Sequence, residues 1–150
     1  MRRYISLFVF LVLTTLVAST ASAFVPGAWY EGLAKPEWTP PNWIFGPVWS
    51  LIYLFIAFAG WLVWRSQGLG PALFWWFTQL ILNALWSYFM FGQHDISTAM
   101  IDISALWLAI AAFMLASWRV NRFAVLLFVP YLAWVSFAAA LNFAVLQMNS

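Results

Sequence analysis

Few side chains in this sequence could do conventional chemistry. Cysteine is absent and histidine occurs once, as His94. No His/Cys/Glu cluster offers a metal or haem-iron ligand set, so neither a metal nor a cofactor is expected. No Ser/His/Asp arrangement, glycine-rich phosphate loop or carboxylate pair is visible. What the sequence offers instead is aromatic: 12 Trp, 15 Phe and 5 Tyr. Some of these rings recur at helical spacing beside neutral polar groups. Trp49 and Tyr53 are i and i+4, Gln79, Asn83 and Trp86 are i, i+4 and i+7, and Trp134, Ala138 and Asn142 are i, i+4 and i+8. Each set shares one helix face. If the three faces meet, they enclose a cavity with aromatic walls and few polar atoms, suited to a flat apolar ligand by stacking and area burial. The same rings would serve equally as filling for a bundle core, and spacing alone leaves both readings open.

The elements that must position these residues follow from composition. Of 150 residues, 66% are hydrophobic and only ten are charged, six basic and four acidic. A soluble domain carries roughly a quarter charged residues. Mean hydropathy is +0.91, so the solvent is lipid. That excludes an ordinary cytosolic enzyme, a disordered regulator and a nucleic-acid binder; six basic residues form no patch for a phosphate backbone. Apolar runs fall at about 5–25, 44–64, 72–91, 96–118 and 123–146. Each has the length a helix needs to cross the hydrocarbon core, and none alternates like a barrel strand. The expectation is an all-α membrane protein, one domain over 1–150, built as a five-transmembrane-helix bundle. Arg2-Arg3, an apolar run and Ala21-Ser22-Ala23 before Phe24 also fit a cleaved signal peptide. A retained first helix fits better, because the apolar run from Ile5 to Ala18 is at the long end for a signal segment.

Five spans place Arg2, Arg3, Arg65, Arg119 and Arg122 on one side and only Lys35 on the other. The positive-inside rule then puts the N-terminus in the cytoplasm, and the C-terminus and the 26–43 loop outside. Trp29, Tyr30, Trp38, Trp43, Trp64 and Trp118 lie at span ends or in that loop, where interfacial anchoring is the default. Asp102 is the one ionisable residue within a span. An interhelical hydrogen bond near the boundary suits it better than a proton or cation site, since no basic partner accompanies it. His94 reads as a solvated loop residue. Ala105, Ala109, Ala112 and Ala116 share a face of the fourth helix with Asp102, fit for close helix packing.

Longer motifs carry a family likeness. The stretch Trp29-Tyr30, Leu33, Lys35-Pro36, Trp38, Pro40-Pro41, Trp43, Gly46-Pro47, Trp49 and Tyr53 resembles the signature of the translocator protein family, the tryptophan-rich sensory proteins (TspO/MBR). Gln79-Leu80, Leu82-Asn83, Trp86 and Phe91-Gly92 are similar to its third-helix motif. Pro130-Tyr131-Leu132-Ala133-Trp134, Ala138 and Leu141-Asn142 are similar to its fifth-helix motif. The resemblance implies a five-helix bundle with 5–25 retained as the first helix. Arg2-Arg3 and the short tails fit a bacterial chain, and a helical bundle fits the cytoplasmic membrane; the resemblance leaves other membranes open. It implies binding of porphyrins, notably protoporphyrin IX, and of sterol-like or isoquinoline-type ligands, under the first loop. Carried over by motif, the contact residues are Tyr30, Pro40, Trp49, Tyr53, Asn83, Trp86, Trp134 and Ala138. It also implies frequent homodimers. The last-helix cholesterol motif of the animal proteins is incomplete here: Phe143 replaces its Tyr, and no Lys or Arg follows before Ser150.

Three functions are then in play, the first two implied by the resemblance. The first is a membrane receptor or carrier for porphyrins, in tetrapyrrole transport, scavenging or stress sensing. The second is light-dependent oxidative breakdown of protoporphyrin IX, with Trp49 and Trp134 in the catalytic role; an excited porphyrin needs no catalytic base and no axial ligand. The third is a regulatory helix bundle that acts through a protein partner.

Overall fold

The computed structural model describes residues 2–23 and 27–150, the backbone alone at 21 and 22. Among these every regular element is a helix. α1 spans Arg2–Ala23, a short α2 spans Ala28–Glu31, and a 3-10 turn covers Asn42–Ile44. α3 spans Phe45–Gln67, α4 Pro71–Ser87, α5 Ile96–Ser117 and α6 Arg122–Met148. The junction after Ala23 and the break at Pro26 lie outside the described residues.

Four helical stretches are long and apolar enough to cross a membrane: Arg2–Thr20, Asn42–Gln67, Ile96–Ser117 and Arg122–Met148. The expected span at 72–91 is not one continuous α-helix. α4 stops after 17 residues and runs on as a π-helical turn over Tyr88–Gly92. Gln93 N–H reaches back five residues to the Tyr88 carbonyl at 2.8 Å. The loop expected at 26–43 also holds structure, in α2 and the 3-10 turn.

Helix ends follow local chemistry. Gly68 ends α3 at φ +75°, where a Cβ would be strained, and Pro71 opens α4, where its missing N–H costs nothing. Asn121 caps α6 by accepting from Ala124 N–H at 3.1 Å. Asp95 caps α5, accepting from Thr98 N–H at 3.0 Å and the Thr98 hydroxyl at 2.7 Å.

The helices form a ring in the order α1, α3, α6, α5, α4. The closest approach is at Gly60 of α3. Trp76 of α4 is fully buried and its Nε1 donates to the Ile56 carbonyl at 2.8 Å. Residue 60 lies one turn beyond that carbonyl and directly over it, so only glycine leaves room for the indole; a Cβ there would overlap Trp76 and press on Phe10. Phe10 of α1 meets the same indole edge-on at 4.9 Å. This single glycine does more of the close-packing work than the alanine stripe. On α5 the buried face also carries Leu106, Ile110 and Phe113, and of the four stripe alanines only Ala109 is fully buried.

Two fold-level outcomes are expected. Gly60→Ala destabilises the bundle by about 1–3 kcal/mol through overpacking, measured by thermal unfolding in detergent, whereas Gly46→Ala, with open space at its Cβ, is near neutral. Hydrogen bonds from Thr98 hold the exposed Asp95 carboxyl below its ordinary value of 3.8. The cap therefore contributes fully above that ordinary value and is lost as pH falls through the lowered folded value. The Thr98 amide resonance reports this titration, and Asp95→Asn abolishes it.

Candidate functional site

The three aromatic faces meet. They surround a cavity of about 420 Å³ beneath the segment that joins α1 to α3. α3 supplies Phe45, Trp49 and Tyr53 from successive turns, and α6 supplies Trp134, Ala138 and Asn142. Trp86 comes from α4, and Tyr30 closes the chamber from α2. No Asp, Glu, Lys, Arg or His side chain lines it. Trp49 and Trp134 stand nearly perpendicular, at 87°, with ring centroids 6.4 Å apart. Trp49 also lies over Tyr53 at 5.5 Å, and Phe45 meets Trp134 edge-on at 5.8 Å.

Of the eight residues expected from motif, six line the cavity: Tyr30, Trp49, Tyr53, Trp86, Trp134 and Ala138. Pro40 and Asn83 do not. Pro40 is half-buried in the covering segment. Asn83 lies behind the wall, where its Oδ1 accepts from the Tyr53 hydroxyl at 2.9 Å. Its Nδ2 donates to the Tyr131 hydroxyl at 2.8 Å. That hydroxyl donates in turn to Gln79 Oε1 at 2.8 Å, and Gln79 Nε2 donates to the Trp76 carbonyl at 2.7 Å. The chain ties α3, α4 and α6 together under the cavity floor and consumes every polar group it contains. A second tie fixes the Trp86 wall: its Nε1 donates to Asn142 Oδ1 at 2.9 Å, and Asn142 Nδ2 donates to the Ile96 carbonyl at 3.3 Å. Among the described residues three buried side-chain atoms stay without a partner: Trp134 Nε1, Asp102 Oδ2 and Ser117 Oγ. That oxygen of Asp102 therefore makes no interhelical hydrogen bond of the kind expected.

Sequence reasoning missed Met90 and Phe91, which also line the cavity. They sit in the π-helical turn, whose wider winding breaks the 3.6-residue period that would have put them on a face. It also missed Tyr131 as the hub of the polar chain; only its place in a motif had marked it.

The cover is held at separate points. Trp29 stacks flat on His94, centroids 4.2 Å apart, so this exposed histidine, at φ +54°, is not merely solvated. Tyr30 is buried rather than interfacial. It packs edge-on against Phe91 at 5.6 Å, and Lys35 Nζ lies 4.7 Å from its ring centroid. Burial pushes the Tyr30 phenol above its ordinary value. Lys35 is spent on the cover itself, donating to the Tyr30, Glu31 and Leu33 carbonyls at 2.7, 3.2 and 3.3 Å. Asn149 at the end of α6 clasps Ala34: its Oδ1 accepts from Ala34 N–H at 3.0 Å, and its Nδ2 donates to the Ala34 carbonyl at 2.8 Å. Trp38, Trp43, Trp64 and Trp118 remain exposed, as interfacial anchors would.

Fold and cavity define an integral membrane helical bundle with an internal chamber of small-molecule size. The chain belongs to the TspO/MBR family, whose pattern it matches over residues 6–148. It is 36% identical over 148 residues to Protein CrtK of Rhodobacter capsulatus, covering 94% of this chain and 91% of that one. It is 37% identical over 132 residues to the tryptophan-rich sensory protein of Cereibacter sphaeroides, covering 88% and 84%. It is 35% identical over 148 residues to the translocator protein of Homo sapiens, covering 93% and 88%.

The clasp is open to test. Asn149→Ala removes both bonds to Ala34, each worth about 1 kcal/mol. The Ala34 amide is expected to exchange with solvent about tenfold faster, while exchange in the α3 core is unchanged.

Proposed function

We propose that this protein is a membrane receptor or carrier that holds a porphyrin such as protoporphyrin IX in the aromatic cavity, serving tetrapyrrole transport, scavenging or stress sensing. The observation that carries this reading is the perpendicular Trp49/Trp134 pair in a wall without charge. One indole stacks on a flat macrocycle while the other meets its edge. The cavity volume of about 420 Å³ falls within the range of small-molecule sites, about 300–1,000 Å³. Trp134 Nε1–H is buried and has no protein acceptor. A porphyrin's carboxylates would lie toward the cover, where Asn42 contributes to the wall. The names of two relatives, a sensory protein and a translocator, agree with a sensing or carrying role. Sterol-like and isoquinoline-type molecules share the flat apolar character and are candidate competitors.

In this reading α4 and its π-helical extension act as one rod over residues 71–92 and make the fifth crossing. The setting is a bacterial cytoplasmic membrane. Arg2, Arg3 and Arg65 gather at one end of the bundle, and Asn121 Nδ2 donates to Ser66 Oγ at 3.2 Å, which brings the Arg119–Arg122 turn to that end too. The positive-inside rule makes it the cytoplasmic end, so the cavity opens on the opposite side.

A second reading has one observation in its favour. Trp49 is in ring contact with Trp134, Tyr53 and Tyr131, the last at 6.4 Å, a continuous path for an electron hole. A light-excited porphyrin could take one electron from the Trp49 or Trp134 indole, and dioxygen could reoxidise the porphyrin radical anion, leaving superoxide and an indole radical cation beside the macrocycle.

The test is quenching of tryptophan fluorescence by protoporphyrin IX in the dark, followed by illumination. Saturable quenching, with affinity lowered about tenfold in Trp49→Phe/Trp134→Phe, supports the receptor. A new absorbing product made in light by wild type alone moves the degradative reading ahead. Non-saturable quenching that is equal in both proteins contradicts both, and favours a regulatory bundle working through a partner.

A further inference from the structure

A second cavity lies at the opposite end of the bundle from the aromatic chamber. It is a lipid-facing groove of about 640 Å³ between α1, the end of α3 and the start of α4. Its wall is apolar: Val9, Phe10 and Leu13 from α1, Leu73 and Phe77 from α4. Its mouth is not. Arg2, Arg3 and Arg65 all line it.

Those three guanidinium groups have no carboxylate to pair with. The chain holds four acidic side chains. Glu31 and Glu37 lie in the cover, Asp95 caps α5 at the cover end, and Asp102 sits two turns further in. One indole organises the mouth instead. Trp61 Nε1 donates to the Arg3 carbonyl and to Ser6 Oγ, both at 3.1 Å, which pins the start of α1 to α3. The face of the same ring carries the Arg65 guanidinium 4.8 Å from its centroid. One residue therefore places the Arg65 cation and anchors the backbone that carries Arg3, whose own guanidinium lies 5.8 Å from the Tyr4 ring centroid. The three arginines are exposed, so their donors remain available.

We propose that this groove binds one anionic glycerophospholipid from the leaflet at the basic end. Arg2, Arg3 and Arg65 hold the phosphate through the planar forks that suit it. One acyl chain lies along the α1/α4 wall, over Phe10. Basic pockets between membrane helices recognise such headgroups because the field near the surface adds to the local hydrogen bonds. A groove of this shape with a neutral mouth would take any lipid tail; the uncompensated charge makes it selective. The occupied groove would also brace the α1/α4 seam next to the Gly60/Trp76 junction.

The test uses the full chain in a neutral detergent, with native mass spectrometry counting lipids retained from phosphatidylglycerol or phosphatidylcholine. One phosphatidylglycerol per chain is expected, favoured over phosphatidylcholine by more than roughly fivefold, since each arginine near the headgroup is worth about that factor. Arg2→Gln/Arg3→Gln/Arg65→Gln should erase the preference with helix content unchanged. Arg119→Gln/Arg122→Gln, at the same end but off the groove, should keep it. Val9→Trp, which fills the wall at an exposed position, should lower phosphatidylglycerol retention with the arginines intact. Equal retention of the two lipids, or a preference that survives the triple substitution, overturns the proposal. So does loss of the preference in the Arg119/Arg122 variant, or a Val9→Trp protein that binds as wild type. Displacement of the lipid by millimolar inorganic phosphate would show a free-anion site and overturn it as well.

Discussion

A polar group buried among lipid-embedded helices has no water to fall back on, and the architecture depends on how this protein meets that constraint. The Tyr53, Asn83, Tyr131 and Gln79 side chains pass hydrogen bonds from one to the next, and the last returns to the backbone at Trp76. Each amide has one orientation compatible with the chain: the Trp76 carbonyl can only accept, which fixes Gln79 and then, in turn, the direction of the Tyr131 and Asn83 bonds. Three helices are thereby held in one register. Such bonds are individually modest in membranes, about 0.6 kcal/mol on average, because partners are also found in the unfolded state. Their value here lies in geometry: they fix the Tyr53 ring, and through it Trp49, where the cavity needs a rigid wall.

The cavity is in this sense a by-product of where polarity is placed. Its floor is the hydrogen-bonded chain, and two of its wall rings have their polar atoms satisfied outward. Trp86 hands its N–H to Asn142, and Tyr53 hands its hydroxyl to Asn83. Trp134 differs, since its N–H is buried and unpaired. The cover is held by short-range contacts near the surface, chiefly the Trp29/His94 stack and the Asn149 clasp. These are weaker than core packing.

Much of this was legible in the sequence, for definable reasons. Lipid demands long apolar runs, so the long helices stood out from hydropathy. Lipid also demands partners for amides, so Gln79, Asn83 and Asn142 were correctly turned inward; all three are buried. Which of them would face a ligand was not legible. Asn83 points at a tyrosine because Tyr131 sits one helix away, a fact of tertiary packing. The π-helical turn was hidden for a similar reason, since periodicity assumes the winding that the turn breaks. The importance of Gly60 was invisible because the small-residue pattern sought was a pair on one helix. Here one glycine faces one tryptophan on another. His94 showed how a residue type can mislead, since a lone loop histidine carries no hint of a ring arriving from 65 residues earlier in the chain.

The central claim is that a flat ligand sits between Trp49 and Trp134. The most direct measurement is the indole nitrogen spectrum of the protein labelled at its 12 tryptophans, titrated with protoporphyrin IX in the dark. The account predicts saturable shifts of the Trp49 and Trp134 Nε1–H resonances, largest for the unpaired Trp134, and none for Trp118 at the far end. Shifts confined to the exposed tryptophans, or growing without saturation, would contradict it.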